Sequence, residues 1–327
     1  MIYSEIFGKF RQGSKVQVEE LIRDNALLEE LQTARRERKP WLGKGAVANI
    51  ASYFTVEEFE ALVNQAGIWS PDRLQVFLDH EPVPPGGLFH TLQSPKSQKH
   101  ELNPAGLQQT LAHGSSVVLN DICGLSAGVM EIRETLADWT GGKLDCNLYF
   151  SQKDHQAFPV HYDVHDVLAF QVEGKKHWQV FEQAIEYPIN HPAFKNRKQM
   201  NPEGSRNAPL LDFEFEPGDL VYIPSGYFHH ATCRDGMSIH LAFGLVEMIG
   251  MDVISLAFEM AMREEFFRAP VNAVLREKDP VDFYLRKWAK QIKDLSGDPE
   301  FKRQLEANLK GFRYGAGRFS LNPAKEP

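Results

Sequence analysis

Cysteine is scarce in this chain: three among 327 residues, Cys123, Cys146 and Cys233, with no CxxC pair. An odd count without close spacing argues against a disulfide framework and for a reducing compartment, so a cytoplasmic location is expected. Long apolar runs are missing too. None reaches the ~18–20 residues of a membrane span, and the opening MIYSEIFGKFRQGSK has no apolar leader stretch. A basic excess is also lacking: 36 Lys and Arg stand against 44 Asp and Glu, a net charge of −8. Nucleic acid is therefore not expected as a partner, whereas a basic protein substrate would be attracted. No internal repeat or low-complexity tract appears. With 43% hydrophobic and 24% charged residues the composition is that of a folded chain, long enough for two domains or one with appendages.

The chain reads as helices, then strands, then helices. A polar helix is expected over residues 15–36, ending in the charged run Arg35-Arg36-Glu37-Arg38-Lys39, which reads as a solvated helix end. Thr55-Val56-Glu57-Glu58 is a capping box opening a helix that buries Phe59, Leu62 and Val63 and stops by Gly67. Residues 81–87 form a Pro/Gly-rich loop, and further helices are expected over 104–113 and 127–140. Between 145 and 245 the period changes to two. CNLYFS, DVLAFQV, KHWQVF, FEFE, DLVYIP and SIHLAFG alternate between turn residues, the pattern of a barrel or jelly roll. A helix apolar nearly all round follows over 251–268, as buried or subunit-interface helices are. Val281, Leu285, Trp288, Ile292 and Leu295 make a second stripe, and Asp298-Pro299 caps a third helix ended by Gly311.

The chemistry concentrates in the strand region. In His161-Tyr162-Asp163 an imidazole and a carboxylate at i and i+2 share one side of extended chain. Alone this is a weak metal signal. Downstream, Gly218 to His229 follows G-x5-P-x-G-x2-H, which resembles the second metal-binding motif of cupins position by position. Two histidines and a carboxylate form the facial triad of non-haem Fe(II) sites; zinc accepts the same donors. His240 is the alternative third ligand. His165, Asp166 and His230 lie close in sequence, the first two as substrate-side or structural groups and His230 facing away. Lys176 opens the returning strand of a hairpin, and Trp178 and Val180 share its face. Its ammonium would then be buried and need an anion. Asn147, Tyr149 and Ser151 share a face of a neighbouring strand and suggest a polar cavity, with Ser238 and His240 as a further inward pair.

Taken together, NLYFS, HYDVHDVLAFQVEGKKHWQVF, EPGDLVYIPSGYFHHA and SIHLAFG resemble the JmjC/cupin-4 family of 2-oxoglutarate-dependent oxygenases, in its ribosomal-oxygenase-like branch. The resemblance is specific over about 147–244 and looser over about 55–270. It implies a mainly β fold with flanking helices, a double-stranded β-helix or jelly roll of the cupin/JmjC kind. Residues 1–50 would be an N-terminal helical extension and 51–247 the JmjC/cupin domain, with its β core at about 145–245. Residues 248–327 would be a helical dimerisation region, giving a homodimer. His161, Asp163 and His229 would hold Fe(II), and Lys176, thirteen residues after the aspartate, the distal carboxylate of 2-oxoglutarate. Asn147, Tyr149, Ser151, Ser238 and His240 would line the cosubstrate pocket. With O2 the implied activity is hydroxylation of an unactivated C–H bond; the ligand set does not separate it from demethylation. About 80 residues follow Glu247, enough for the helices but fewer than expected for the family's winged-helix domain in addition. The prime substrate is thus a protein side chain or, as the alternative, a small molecule. A cupin metalloenzyme without 2-oxoglutarate is the further alternative, against which Lys176, Asn147 and Tyr149 argue.

Overall fold

Strands with one or both faces apolar organise the chain up to Val246. The computed structural model describes residues 16–94, 97–152, 158–183, 185–195, 208–275 and 281–314. The chain divides into one unit that ends at Val246 and a second spanning Glu247–Gly315.

The described strands of the first unit are β1 (Trp41–Gly43), β2 (Leu74–Leu78), β3 (Glu81–Pro82), β4 (Phe89–Ser94), β5 (Ser97–Leu102), β6 (Ser116–Leu119), β7 (Lys143–Gln152), β8 (Asp166–Gly174), β9 (Lys176–Gln183), β10 (Leu211–Phe215), β11 (Leu220–Ile223), β12 (Tyr227–Thr232) and β13 (Met237–Val246). They form an eight-stranded sheet in the order β1-β11-β8-β13-β7-β6-β2-β3, a three-stranded sheet β10-β9-β12 and a separate hairpin β4-β5. Every pairing is antiparallel. The two larger sheets pack face to face through Val167, Ala169, Val221 and Ile223 on one side and Trp178, Val180 and Phe215 on the other. This is the expected double-stranded β-helix.

The other face of the large sheet carries Cys146, Leu148, Phe150, Leu168, Phe170, Leu241 and Phe243. It is covered by the helices α1 (Val18–Leu21), α2 (Asn25–Glu37), α3 (Val56–Val63), α4 (Pro104–Leu111) and α5 (Ala127–Thr140). Strand β8 is thus buried on both faces, which explains why DVLAFQV reads as an almost continuous apolar run. Thr55 accepts from the Glu58 amide as a cap should, and Gly141 closes α5 in the left-handed conformation at φ 73°.

Several expectations change. The helix expected over 15–36 breaks at Ile22, which is extended and fully buried, and restarts with Asp24 accepting from the Ala26 amide. Residues 18–50 do not stand apart as an extension: Leu21, Ile22, Leu28 and Leu31 enter the core and β1 pairs with β11. The β region reaches beyond 145–245, because β6 pairs with β7 and β2 with β6. In the second unit α6 (Gly250–Ala261) ends early, where the Arg268 guanidinium takes the Met262 carbonyl at 2.7 Å; a short helical turn, Glu265–Arg268, follows. α6 is not buried all round either. Leu256 and Met260 pack with Phe301 of α8 (Pro299–Gly311) and Leu295 of α7 (Val281–Gly297), while Ile254 and Phe258 are exposed.

One turn has little freedom. Gly174, at φ 62°, joins β8 to β9, and a Cβ there would lie 1.8 Å from the Met237 carbonyl oxygen. That oxygen is backbone and cannot swing aside. Gly174→Ala is expected to lower unfolding free energy by about 2 kcal/mol in urea titration, whereas Gly86→Ala, with open space around it, should change little.

Candidate metal centre

Two chain segments far apart in sequence meet here through their backbones. The His161 amide donates to the His229 carbonyl at 3.2 Å, and the His229 amide returns the bond to His161 at 2.8 Å. The Gly226 amide donates to the Asp163 carbonyl at 2.9 Å. Gly226 sits at φ 85°, and a Cβ on it would strike the Ile185 carbonyl oxygen, so only glycine makes this turn. A register shift between Tyr227 and His229 on β12 then aims the imidazole inward. His229 itself lies on β12, which pairs along β9.

One donor atom from each of His161, Asp163 and His229 lies within 4.8 Å of the others. His229 Nε2 is 3.5 Å from Asp163 Oδ2, and the two imidazole centroids are 4.6 Å apart. Each histidine has its Nδ1 on a backbone carbonyl, Pro159 at 2.8 Å for His161 and Tyr227 at 3.1 Å for His229. A carbonyl only accepts, so Nδ1 carries the proton and Nε2 presents its lone pair to the cluster. Burial, and secondarily the neighbouring His161, push His229 down to about 4, so it is neutral as a ligand must be. The donor set therefore fits a divalent transition metal. His240 stands apart from this cluster, its ring stacked on Tyr149 at 4.8 Å.

Next to the cluster, polar side chains from the two sheets face one another. Tyr149 pairs with His240, Asn147 with Ala242 and Ser151 with Ser238, so the residues singled out on β7 and β13 share one inner face. Lys176 comes from the opposite sheet and donates to Ser151 Oγ at 3.0 Å. Only 3% exposed, it has no carboxylate partner among the described residues. A buried ammonium held by one hydroxyl is incomplete, and it fits the carboxylate of a bound acid. Asn147 Oδ1 accepts from the Asp121 amide, and Ser238 Oγ accepts from Gln171 Nε2 at 2.8 Å. Trp178 walls the pocket, stacked on His229 and edge-on to His240.

Sequence reasoning passed over two residues here. Ser116 donates to Ser151 at 3.2 Å and extends the hydroxyl chain behind Lys176; it belongs to a four-residue strand too short for alternation to show. Gln171 is fully buried and bonds the Glu173 and Gly174 carbonyls besides Ser238, and a lone amide in an apolar strand was its signal. Of the neighbouring groups, His165 lies over Gly244 and His230 bonds Gln179 on the outer face. Asp166 takes hydrogen bonds from Arg38, Tyr222 and the Ser225 amide.

Two facing antiparallel sheets here carry two histidines and an aspartate within coordinating distance of one another, and residues 130–252 match the family model of the JmjC domain. The chain is similar to the ribosomal oxygenases. Human Ribosomal oxygenase 1 is 27% identical over 229 residues, 66% of this chain and 34% of that protein. Mouse Ribosomal oxygenase 2 is 29% identical over 215 residues, 60% and 44% of the two chains. This chain thus spans between a third and a half of the length of these relatives. The ribosomal oxygenase YcfD from Escherichia coli, solved in complex with cobalt and 2-oxoglutarate, shares the fold with a TM-score of 0.54 at 16% identity, over 83% of this chain and 67% of that one.

Burial lowers Lys176 from 10.5 to about 8. The folded chain thus binds this proton less tightly than the unfolded chain does. The cost is complete below pH 8 and vanishes as pH rises towards 10.5. Lys176→Met is therefore expected to stabilise the ligand-free protein at pH 7, by on the order of 3 kcal/mol at most. The difference from wild type should shrink between pH 8 and 10.5, read by thermal unfolding.

Proposed function

We propose that this chain is an Fe(II)- and 2-oxoglutarate-dependent oxygenase that hydroxylates an unactivated C–H bond of a protein side chain. The observation that carries the reading is the pairing of an open two-histidine, one-carboxylate cluster with the buried, carboxylate-free Lys176. His161, Asp163 and His229 would hold Fe(II), and three ligands leave positions for cosubstrate and oxygen. Bound iron, with 2-oxoglutarate and O2, supplies the oxidising chemistry that no side chain here provides. Lys176 would pair with the distal carboxylate, with Ser151 fixing the ammonium. Tyr149, Asn147 and His240 would line the cosubstrate, and Ser238 would help to shape its floor through Gln171. Burial raises the Tyr149 phenol above its ordinary value, so it stays a neutral hydrogen-bond donor. Trp178, stacked on His229 and edge-on to His240, would give the reacting centre an apolar wall.

A target in the ribosome is supported by the name its relatives carry, and the acidic net charge favours a basic protein. The cytoplasm is the location we propose; three buried cysteines, none in a disulfide, are in keeping with it. Among the described residues no helix is long and apolar enough to cross a membrane.

We further propose a homodimer formed through the second unit. Met251, Ile254, Phe258 and Met262 make one exposed stripe along α6 and Val281, Leu285 and Trp288 another along α7. Side chains of this size on one face of each helix are what a subunit contact buries. Light scattering should give twice the 37.2 kDa chain mass, and Phe258→Asp should return it to one.

Anaerobic titration with Fe(II) and 2-oxoglutarate tests the chemistry. A weak visible charge-transfer band should appear in wild type and fade in Lys176→Ala. His161→Ala and Asp163→Ala should each lose more than about 99% of succinate release. Bound iron without a band would favour a cupin that does not use 2-oxoglutarate, and near-native turnover in either ligand variant would remove the assignment.

A further inference from the structure

The charged run at the end of α2 read as a solvated helix terminus, yet one of its members turns inward. Arg38 adopts φ 52°, and its amide closes α2 on the Ala34 and Arg35 carbonyls. That left-handed cap throws the side chain back onto the strands. Nη2 donates to Asp166 Oδ1 at 3.2 Å and to Ser225 Oγ at 2.7 Å, and the guanidinium lies 4.7 Å over the Tyr187 ring. The Arg38 carbonyl in turn accepts from the Tyr227 hydroxyl at 3.0 Å.

These partners belong to the two segments that carry the metal-binding side chains. Asp166 follows Asp163 by three residues; Ser225 and Tyr227 precede His229. The Ser225 amide donates to Asp166 Oδ1 at 2.8 Å and the Tyr222 hydroxyl to Oδ2 at 2.6 Å, which joins the segments behind the cluster. Asp166 is buried, and Arg38 is the only cation bonded to it among the described residues. Without the guanidinium the carboxylate would be left in a low-dielectric site, and the segments would relax to admit water. Arg38 touches no member of the cluster itself.

We propose that Arg38 is a positioning residue for the metal centre, clamping the 163–166 and 224–229 segments so that Asp163 and His229 stay within coordinating distance. The inference rests on the proposal that His161, Asp163 and His229 hold a metal. Groups bonded directly to a ligand typically set metal affinity by about 10–100-fold, and Arg38, one contact further back, is expected at the lower end of that range.

The test is Mn(II) binding to the full chain, followed by the electron paramagnetic resonance signal of free Mn(II). Arg38→Ala should raise the dissociation constant about tenfold. Arg38→Lys, which keeps the charge but loses the fork, should recover part of it. Arg38→Ala and Asp166→Asn should be non-additive when combined. Leu28→Ala, which thins the packing of the same helix, provides a matched loss of stability and should bind Mn(II) as wild type does. Binding by Arg38→Ala within twofold of wild type would overturn the proposal. So would an equal loss in Leu28→Ala, because the effect would then be general stability. A wild-type chain that takes up no Mn(II) would instead remove the metal-site reading on which the clamp rests.

Discussion

The two backbone hydrogen bonds exchanged by His161 and His229 are the constraint on which the site depends. A backbone amide and carbonyl taken out of water must be paired, and here each histidine satisfies the other. The pairing brings imidazoles from distant segments to 4.6 Å and leaves no choice of register. Each ring is then fixed by its own Nδ1 proton on a carbonyl two residues away. Ligand geometry is thus set by main-chain bonding before any metal arrives, and this is the preorganisation a reactive centre requires.

Behind the site the large sheet acts as a stiff backing. Strand β8 is buried on both faces, helices on one and the small sheet on the other, and β13 pairs with β7 and β8 along most of its length. The inner face carries the polar groups Asn147, Tyr149, Ser151, Ser238 and His240, while the outer face of the same strands is apolar. Separation of chemistry from packing follows from the two-residue period of a strand. It lets the pocket hold several polar groups without opening the core.

That period is also why so much was legible in the sequence. The face of β7, the inward Lys176 and the order of the two metal motifs rest on local spacing, and the strands lie close to where alternation put them. The helix expected over 127–140 has those ends in the structure, where Ser126 caps its start and Gly141 its end. What escaped has a partner far along the chain or a pattern too short to read. Arg38 pairs with Asp166, 128 positions away, and nothing in its charged neighbourhood distinguishes it from Arg36. Strand β6 is four buried residues with no alternation, so Ser116 could not be placed beside Ser151. The stop after α6 is accompanied by Arg268 donating to the Met262 carbonyl, a side-chain contact that periodicity does not encode.

The solitary ammonium in the pocket links occupancy to survival. An anion that pairs with Lys176 binds the folded chain and not the unfolded one, so it shifts the folding equilibrium by mass action. Chains with an empty pocket open more often and present themselves to proteases more often. If a carboxylate fills this site, its concentration sets how far the fold is stabilised.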